Sequence, residues 1–151
     1  VNRKKYFWND YRFYDIYGLE PQFPFGHGLS YTSFDYSHFK IENQAVRAGD
    51  TIKISFALKN TGSRSGWETP QIYISGDNSR LKPRVIKELK AFKKIHLDPG
   101  ELKTVVIEIP VKNFATYDAE GKQWMIEKRN YTILVGTSSS DIKLRGQFAI
   151  I

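Results

Sequence analysis

The sequence predicts an all-β protein, an antiparallel β-sandwich of about seven to nine short strands. Three observations predict it. From Phe34 onward, apolar residues recur with a period of two, the spacing that places alternate side chains on one face of a strand. Glycine, proline, asparagine and aspartate cluster between those runs, where tight connections need them. No stretch repeats apolar residues at helical spacing over enough length to make a convincing amphipathic helix.

The chain opens on a dense aromatic segment: Tyr6, Phe7, Trp8, Tyr11, Phe13, Tyr14 and Tyr17. An arm this short cannot bury so many rings by itself. It is expected to be extended, and either to fold against the sandwich or to seek another surface. Gly18 to Pro21 breaks the run. The joint follows: Phe23-Pro24-Phe25-Gly26-His27-Gly28-Leu29-Ser30-Tyr31. Pro24 holds Phe23 extended, and the two glycines permit close approaches that a side chain would forbid. The organisation expected is therefore an arm and joint over residues 1–29 and a sandwich over 30–151.

Phe34, Tyr36 and His38 alternate with Asp35 and Ser37 in the first strand. Ala48-Gly49-Asp50 turns into the second, where Ile52, Ile54, Phe56 and Leu58 form the core face, and Asn60-Thr61-Gly62-Ser63 turns out of it. Pro70 to Ser75 is a strand with Ile72 and Ile74 on one face, and Gly76-Asp77-Asn78-Ser79 is a loop. Val85 to Leu97 is a lysine-rich strand or bent pair. Asp98-Pro99-Gly100 turns into a strand from Lys103 to Ile109 with Val105, Ile107 and Ile109 inward. Ala119 to Lys122 is a hairpin turn between Phe114–Tyr117 and Gln123–Ile126. Tyr131 to Val135 and Ile142 to Ile150 complete the set.

Of the 151 residues, 40% are hydrophobic and 15% aromatic, enough to fill one core. There is no apolar run of membrane-spanning length, so no membrane helix is expected. Val1 stands where an initiator methionine would, which predicts a mid-protein start, and no apolar segment follows the basic Arg3-Lys4-Lys5 to make a signal peptide. Cysteine is absent, which excludes disulfides and thiolate metal sites but leaves the compartment open. A secreted or periplasmic setting is slightly favoured over a cytoplasmic one. The net charge is +7. Its lysines are dispersed, with small clusters at 3–5 and 87–94, so nucleic-acid binding is not expected.

Candidate chemistry is sparse. The sixteen acidic residues show no spacing that singles out an acid and a nucleophile, and Asp118 and Glu120 share a hairpin turn where both would be solvated. His27, His38 and His96 have no ligand spacing. Ser138-Ser139-Ser140 lacks a nucleophile elbow and a partner base. Gly26 and Gly28 make a lone Gly-x-Gly without a following helix. No cofactor or metal is expected. Trp67 and Trp124 could stack on sugar rings, although packing is the favoured role for both. Asn130-Tyr131-Thr132 matches the N-glycosylation pattern.

Several blocks, in order, resemble one family. Tyr11-Arg12-Phe13-Tyr14-Asp15 is similar to its YRYYD segment, and Phe23 to Tyr31 to its FPFG-x-GLSYT segment. Lys87 to Lys94 followed by Leu97-Asp98-Pro99-Gly100-Glu101 resembles KELKGFKK and L-x-PGE. Tyr131 to Ser139 with Asp141-Ile142 resembles YTVLVG-SS-DI. The family is the family-3 glycoside hydrolases, β-glucosidases and their relatives, and the blocks belong to its C-terminal domain. The resemblance implies an immunoglobulin-like sandwich of the fibronectin type III kind. The Cys-Trp-Cys pattern of a true immunoglobulin domain is missing.

The resemblance further implies a non-catalytic domain that stabilises or positions catalytic domains of the same polypeptide. That polypeptide would hydrolyse terminal β-glycosides with retention. The family's nucleophile and acid/base lie outside this domain, so no catalytic residue carries over. Contacts to the catalytic body would come from Tyr11, Arg12, Tyr14, Phe23, Phe25, His27 and Tyr31; family members often carry Tyr where His27 stands. Self-association through the arm is a further expectation. The rival readings are an independent carbohydrate-binding module and a binder of anionic polymers through Lys87 to Lys94.

Overall fold

The computed structural model describes residues 10–76 and 87–151. One short helix, α1 (Tyr11–Tyr17), precedes the strands. These are β1 (Phe34–Ile41), β2 (Ala45–Val46), β3 (Thr51–Asn60), β4 (Gly66–Glu68), β5 (Gln71–Gly76) and β6 (Glu88–Phe92). They continue with β7 (Ile95–Leu97), β8 (Leu102–Pro110), β9 (Thr116–Asp118), β10 (Gln123–Met125), β11 (Asn130–Gly136) and β12 (Ile142–Ile150). The number exceeds the expected seven to nine because β2, β4, β7, β9 and β10 are pieces of two or three residues. The two principal sheets run β1-β3-β8 and β2-β12-β11-β5-β6; β4-β7 and β9-β10 are separate ribbons.

The core lies between the two sheets. Ile52, Ile54, Phe56 and Leu58 of β3 and Val105, Ile107 and Ile109 of β8 come from one. Ile72, Ile74, Tyr131, Ile133, Val135, Phe148 and Ile150 come from the other. Each set is a period-two face, so strand geometry alone delivers these side chains to one side. Phe114, Tyr131 and Phe148 pack as an aromatic trio, with ring centroids 5.5–5.7 Å apart.

Three expectations need correction. The N-terminal segment is not extended between residues 11 and 17. Asp10 caps α1 by accepting a hydrogen bond from the Arg12 N–H, and Gly18 ends it in the left-handed conformation at φ 62°. His38 does not share a face with Tyr36. It takes φ 53° in a bulge between Ser37 and Lys40, and after that extra residue Phe39 and Ile41 pack inward instead. The lysine-rich segment takes the second of its two expected forms, a pair of strands, with β6 joined to β5 and β7 to β4 in different sheets. Phe114 belongs to a 3-10 turn (Val111–Phe114) rather than to the hairpin, whose strands are β9 and β10. Tyr6, Phe7, Trp8, the basic residues 3–5, positions 77–79 of the expected loop, and Val85 and Ile86 lie outside the described residues.

Candidate interdomain surface

Strand β5 is buried on both faces, and its second face makes the site. Ile72 and Ile74 enter the core, while Gln71 and Tyr73 alternate to the opposite side of the sheet and are buried there too. The N-terminal segment covers them. Tyr11, only 6% exposed, lies edge-on against Tyr73 at 5.7 Å and beside Phe25 at 5.2 Å. Its hydroxyl accepts a hydrogen bond from the Leu89 N–H at 2.9 Å, which satisfies a backbone donor of edge strand β6. Burial raises the Tyr11 phenol above its ordinary value, and the bond from Leu89 opposes that shift. Lys87 pairs with Asp15 at 2.6 Å, largely out of solvent, and fastens α1 to the same edge. Arg12 lies over the Tyr11 ring at 5.6 Å, and its Nε is buried without a hydrogen-bond partner.

The joint is pinned at several points. Gln71 donates from Nε2 to the carbonyls of Gly26 and Thr137, at 3.1 and 2.8 Å, and accepts from the Tyr73 hydroxyl at 2.6 Å. The Ser139 N–H donates to the Phe25 carbonyl at 2.8 Å. Gly26 has φ 78°, and a Cβ there would overlap the Gln71 amide, so glycine is required on both counts. Further along, Thr32 Oγ1 donates to Oδ1 of the fully buried Asn60 at 2.6 Å, and Asn60 Nδ2 donates to the carbonyls of Arg64 and Leu97. Thr32 also runs so close to β4 that a side chain at Gly66 would meet its methyl group.

A backbone held this firmly presents its side chains outward. Leu29 is 95% exposed, Tyr31 91% and Phe23 70%. His27, Phe25 and Tyr14 are exposed as well, with the Phe23 and His27 rings 5.8 Å apart. Leu29 shares a cleft of about 230 Å³ with Gly26, Trp67, Glu68, Lys94 and Thr137. Glu68 accepts from the Tyr36 hydroxyl at 3.0 Å, and burial raises its carboxyl above the ordinary range. A loop anchored at both ends and bearing solvent-facing leucine and aromatic side chains is suited to protein contact, since large exposed apolar side chains gathered in one place mark interaction surfaces.

Of the residues singled out in the sequence, Phe23, Phe25, His27 and Tyr31 lie along this joint. Tyr11 instead faces inward as the link between helix and sheet. Leu29, Gln71 and Asn60 were missed: Leu29 resembles any apolar residue, and a buried amide leaves no periodic trace. Trp67 and Trp124 are both exposed but occupy different ribbons. Each packs edge-on with its own neighbour, Trp67 with His96 and Trp124 with Tyr117. The lysine cluster is not one cationic face: Lys87 pairs with Asp15 and Lys90 with Glu88.

Residues 68–139 match the model of the fibronectin type III-like domain. The chain is 44% identical over 135 residues to thermostable beta-glucosidase B of Acetivibrio thermocellus, covering 89% of the chain and 18% of that protein. It superposes on beta-glucosidase 3B from Thermotoga neapolitana in complex with alpha-D-glucose with a TM-score of 0.84 at 41% identity, covering 93% of the chain and 19% of that structure. The GH3 beta-glucosidase of Bifidobacterium adolescentis gives the same TM-score at 31% identity, over 93% of the chain and 20% of that structure. The chain thus spans about a fifth or less of the length of these relatives. The order of its blocks, the sandwich and these likenesses agree: the chain is a fibronectin type III-like domain and belongs with those of the family-3 β-glucosidases.

Proposed function

We propose that the chain braces the catalytic domains of a longer β-glucosidase polypeptide and takes no part in bond cleavage itself. The anchored joint carries this reading: Gln71 holds its backbone at Gly26 and Asn60 holds the Thr32 side chain, while Leu29 and Tyr31 between them remain uncovered. A loop tethered at both ends before docking loses less conformational entropy on binding than a free one, so its apolar side chains retain more of their burial energy. The partner is the same polypeptide rather than a second copy, because α1 lies over its own sheet and Tyr11 occupies the β6 edge donor at Leu89. The relatives that share this domain are β-glucosidases, which supports hydrolysis of terminal β-glycosides as the activity of the whole. The test is a pair of melts. Leu29→Asp with Tyr31→Asp is expected to leave the 151-residue chain unchanged and to lower the melting temperature and glucosidase activity of the intact polypeptide. Equal behaviour of variant and wild type in the intact polypeptide would remove the reading.

A further inference from the structure

Trp67 is the ridge between two clefts. On one side lies the cleft shared with Leu29. On the other is a cleft of about 320 Å³ lined by Lys93, Lys94, Ile95, His96, Lys103 and Val105. Lys94 Nζ sits 5.1 Å over the indole, and the His96 ring meets it edge-on at 5.0 Å. The charge of this second cleft is one-sided. Three lysines line it and no carboxylate does. Lys103 is engaged by Glu101 at 3.0 Å and by the His96 carbonyl. Lys93 and Lys94 make no ion pair with any described residue. In the neighbouring cleft the one carboxylate, Glu68, is already bound by the Tyr36 hydroxyl. The uncovered apolar surface of the joint therefore continues, through Leu29 and Trp67, into a strip with unneutralised positive charge.

That arrangement is an apolar centre with a charged rim on one side, and the rim of an interface selects its partner by opposite charge. We propose that Trp67, Lys93 and Lys94 extend the docking face beyond the joint, and that they meet a carboxylate-bearing surface elsewhere in the same longer polypeptide. The inference rests on the bracing function above and adds the chemistry of the opposing surface. The indole face holds the Lys94 ammonium beside the cleft, and desolvation of the pair by a partner strengthens that contact. The isolated chain leaves these cations exposed, which is consistent with its net charge of +7.

Two measurements on the intact polypeptide, each compared with the 151-residue chain, separate the inference from the reading beneath it. Hydroxyl-radical footprinting reports burial of Leu29 and Tyr31. Zero-length carbodiimide cross-linking, read by mass spectrometry, joins a lysine amine only to a carboxylate it touches. The expected result is protection of Leu29, Tyr31 and Trp67, together with cross-links from Lys93 or Lys94 to Asp or Glu outside residues 1–151. Those cross-links should vanish in Lys93→Gln/Lys94→Gln, while the protection of Leu29 and Tyr31 persists. Protected Leu29 and Tyr31 without such cross-links would overturn the inference alone. Unprotected Leu29 and Tyr31 would overturn the bracing function and the inference with it.

Discussion

Glycine 26 is a residue where a single methyl group should do harm in two ways, by strain and by collision. Its φ of 78° is shared by Gly100, at 76°, but a Cβ on Gly100 would point into open space whereas one on Gly26 would displace Gln71. Gly100→Ala should cost about 1–2 kcal/mol, the strain of a left-handed L-residue. Gly26→Ala should cost about 1–3 kcal/mol more, because moving Gln71 strands buried partners at Tyr73 and Thr137. Urea melts of the two variants give the difference directly. Phe56, 1% exposed and stacked on Tyr36 at 5.8 Å, sets the scale for a core deletion: Phe56→Ala should lower stability by about 3–5 kcal/mol in the same assay. The two sites differ in how they can be read from sequence. Phe56 lies in an unbroken alternation and announces itself. Gln71 looks like any polar residue at a strand edge, and only the fold shows that a carbonyl from forty-five positions earlier comes to meet it.

At the scale of elements, the long strands were legible and the short ones were not. Thr51–Asn60 and Leu102–Pro110 carry a complete period-two pattern and pair along almost their whole length. The β1 pattern failed at His38, because a bulge inserts one residue without demanding a glycine. Helix α1 escaped because seven residues rich in aromatics have little helical propensity, and beyond its two caps it is held by the distant contacts of Tyr11 and Lys87–Asp15. The β4-β7 ribbon supplies a pH prediction, because Glu68 on β4 binds Tyr36 on β1. Burial holds the Glu68 carboxyl above its unfolded value, so between those two values the folded state binds more protons. Stability on this account falls as pH rises through that window. Glu68→Gln keeps an acceptor for Tyr36 without the charge. Relative to wild type its stability should gain between about pH 4 and pH 7, as measured by urea midpoints at both.

For the whole molecule, the N-terminal segment is a third layer, laid over a sheet whose inner face belongs to the sandwich. Removing residues 1–20 exposes Tyr73 and returns the Leu89 N–H of β6 to solvent. The shortened chain should still unfold in one transition, since the inter-sheet core is intact, but about 3–5 kcal/mol below the full chain, like other deletions of a buried aromatic. Calorimetry of both chains checks this. The sandwich itself was evident from alternation and turns. The third layer was legible only as one of two alternatives for the aromatic arm, because a face covered by residues from far along the chain obeys no periodicity.

The hydrogen bonds of Gln71 bear on how this domain can be exchanged between polypeptides. A crossover placed at residues 29–33, where the first strand is about to begin, would join a foreign joint to a sheet still holding Gln71, Tyr73 and Leu89 ready for the old one. Chimeras cut there inherit unmatched amide and phenol groups beneath the seam. A cut ahead of Asp10 carries the helix, the joint and their receptors across together, so the natural unit of recombination starts some twenty residues before the sandwich does.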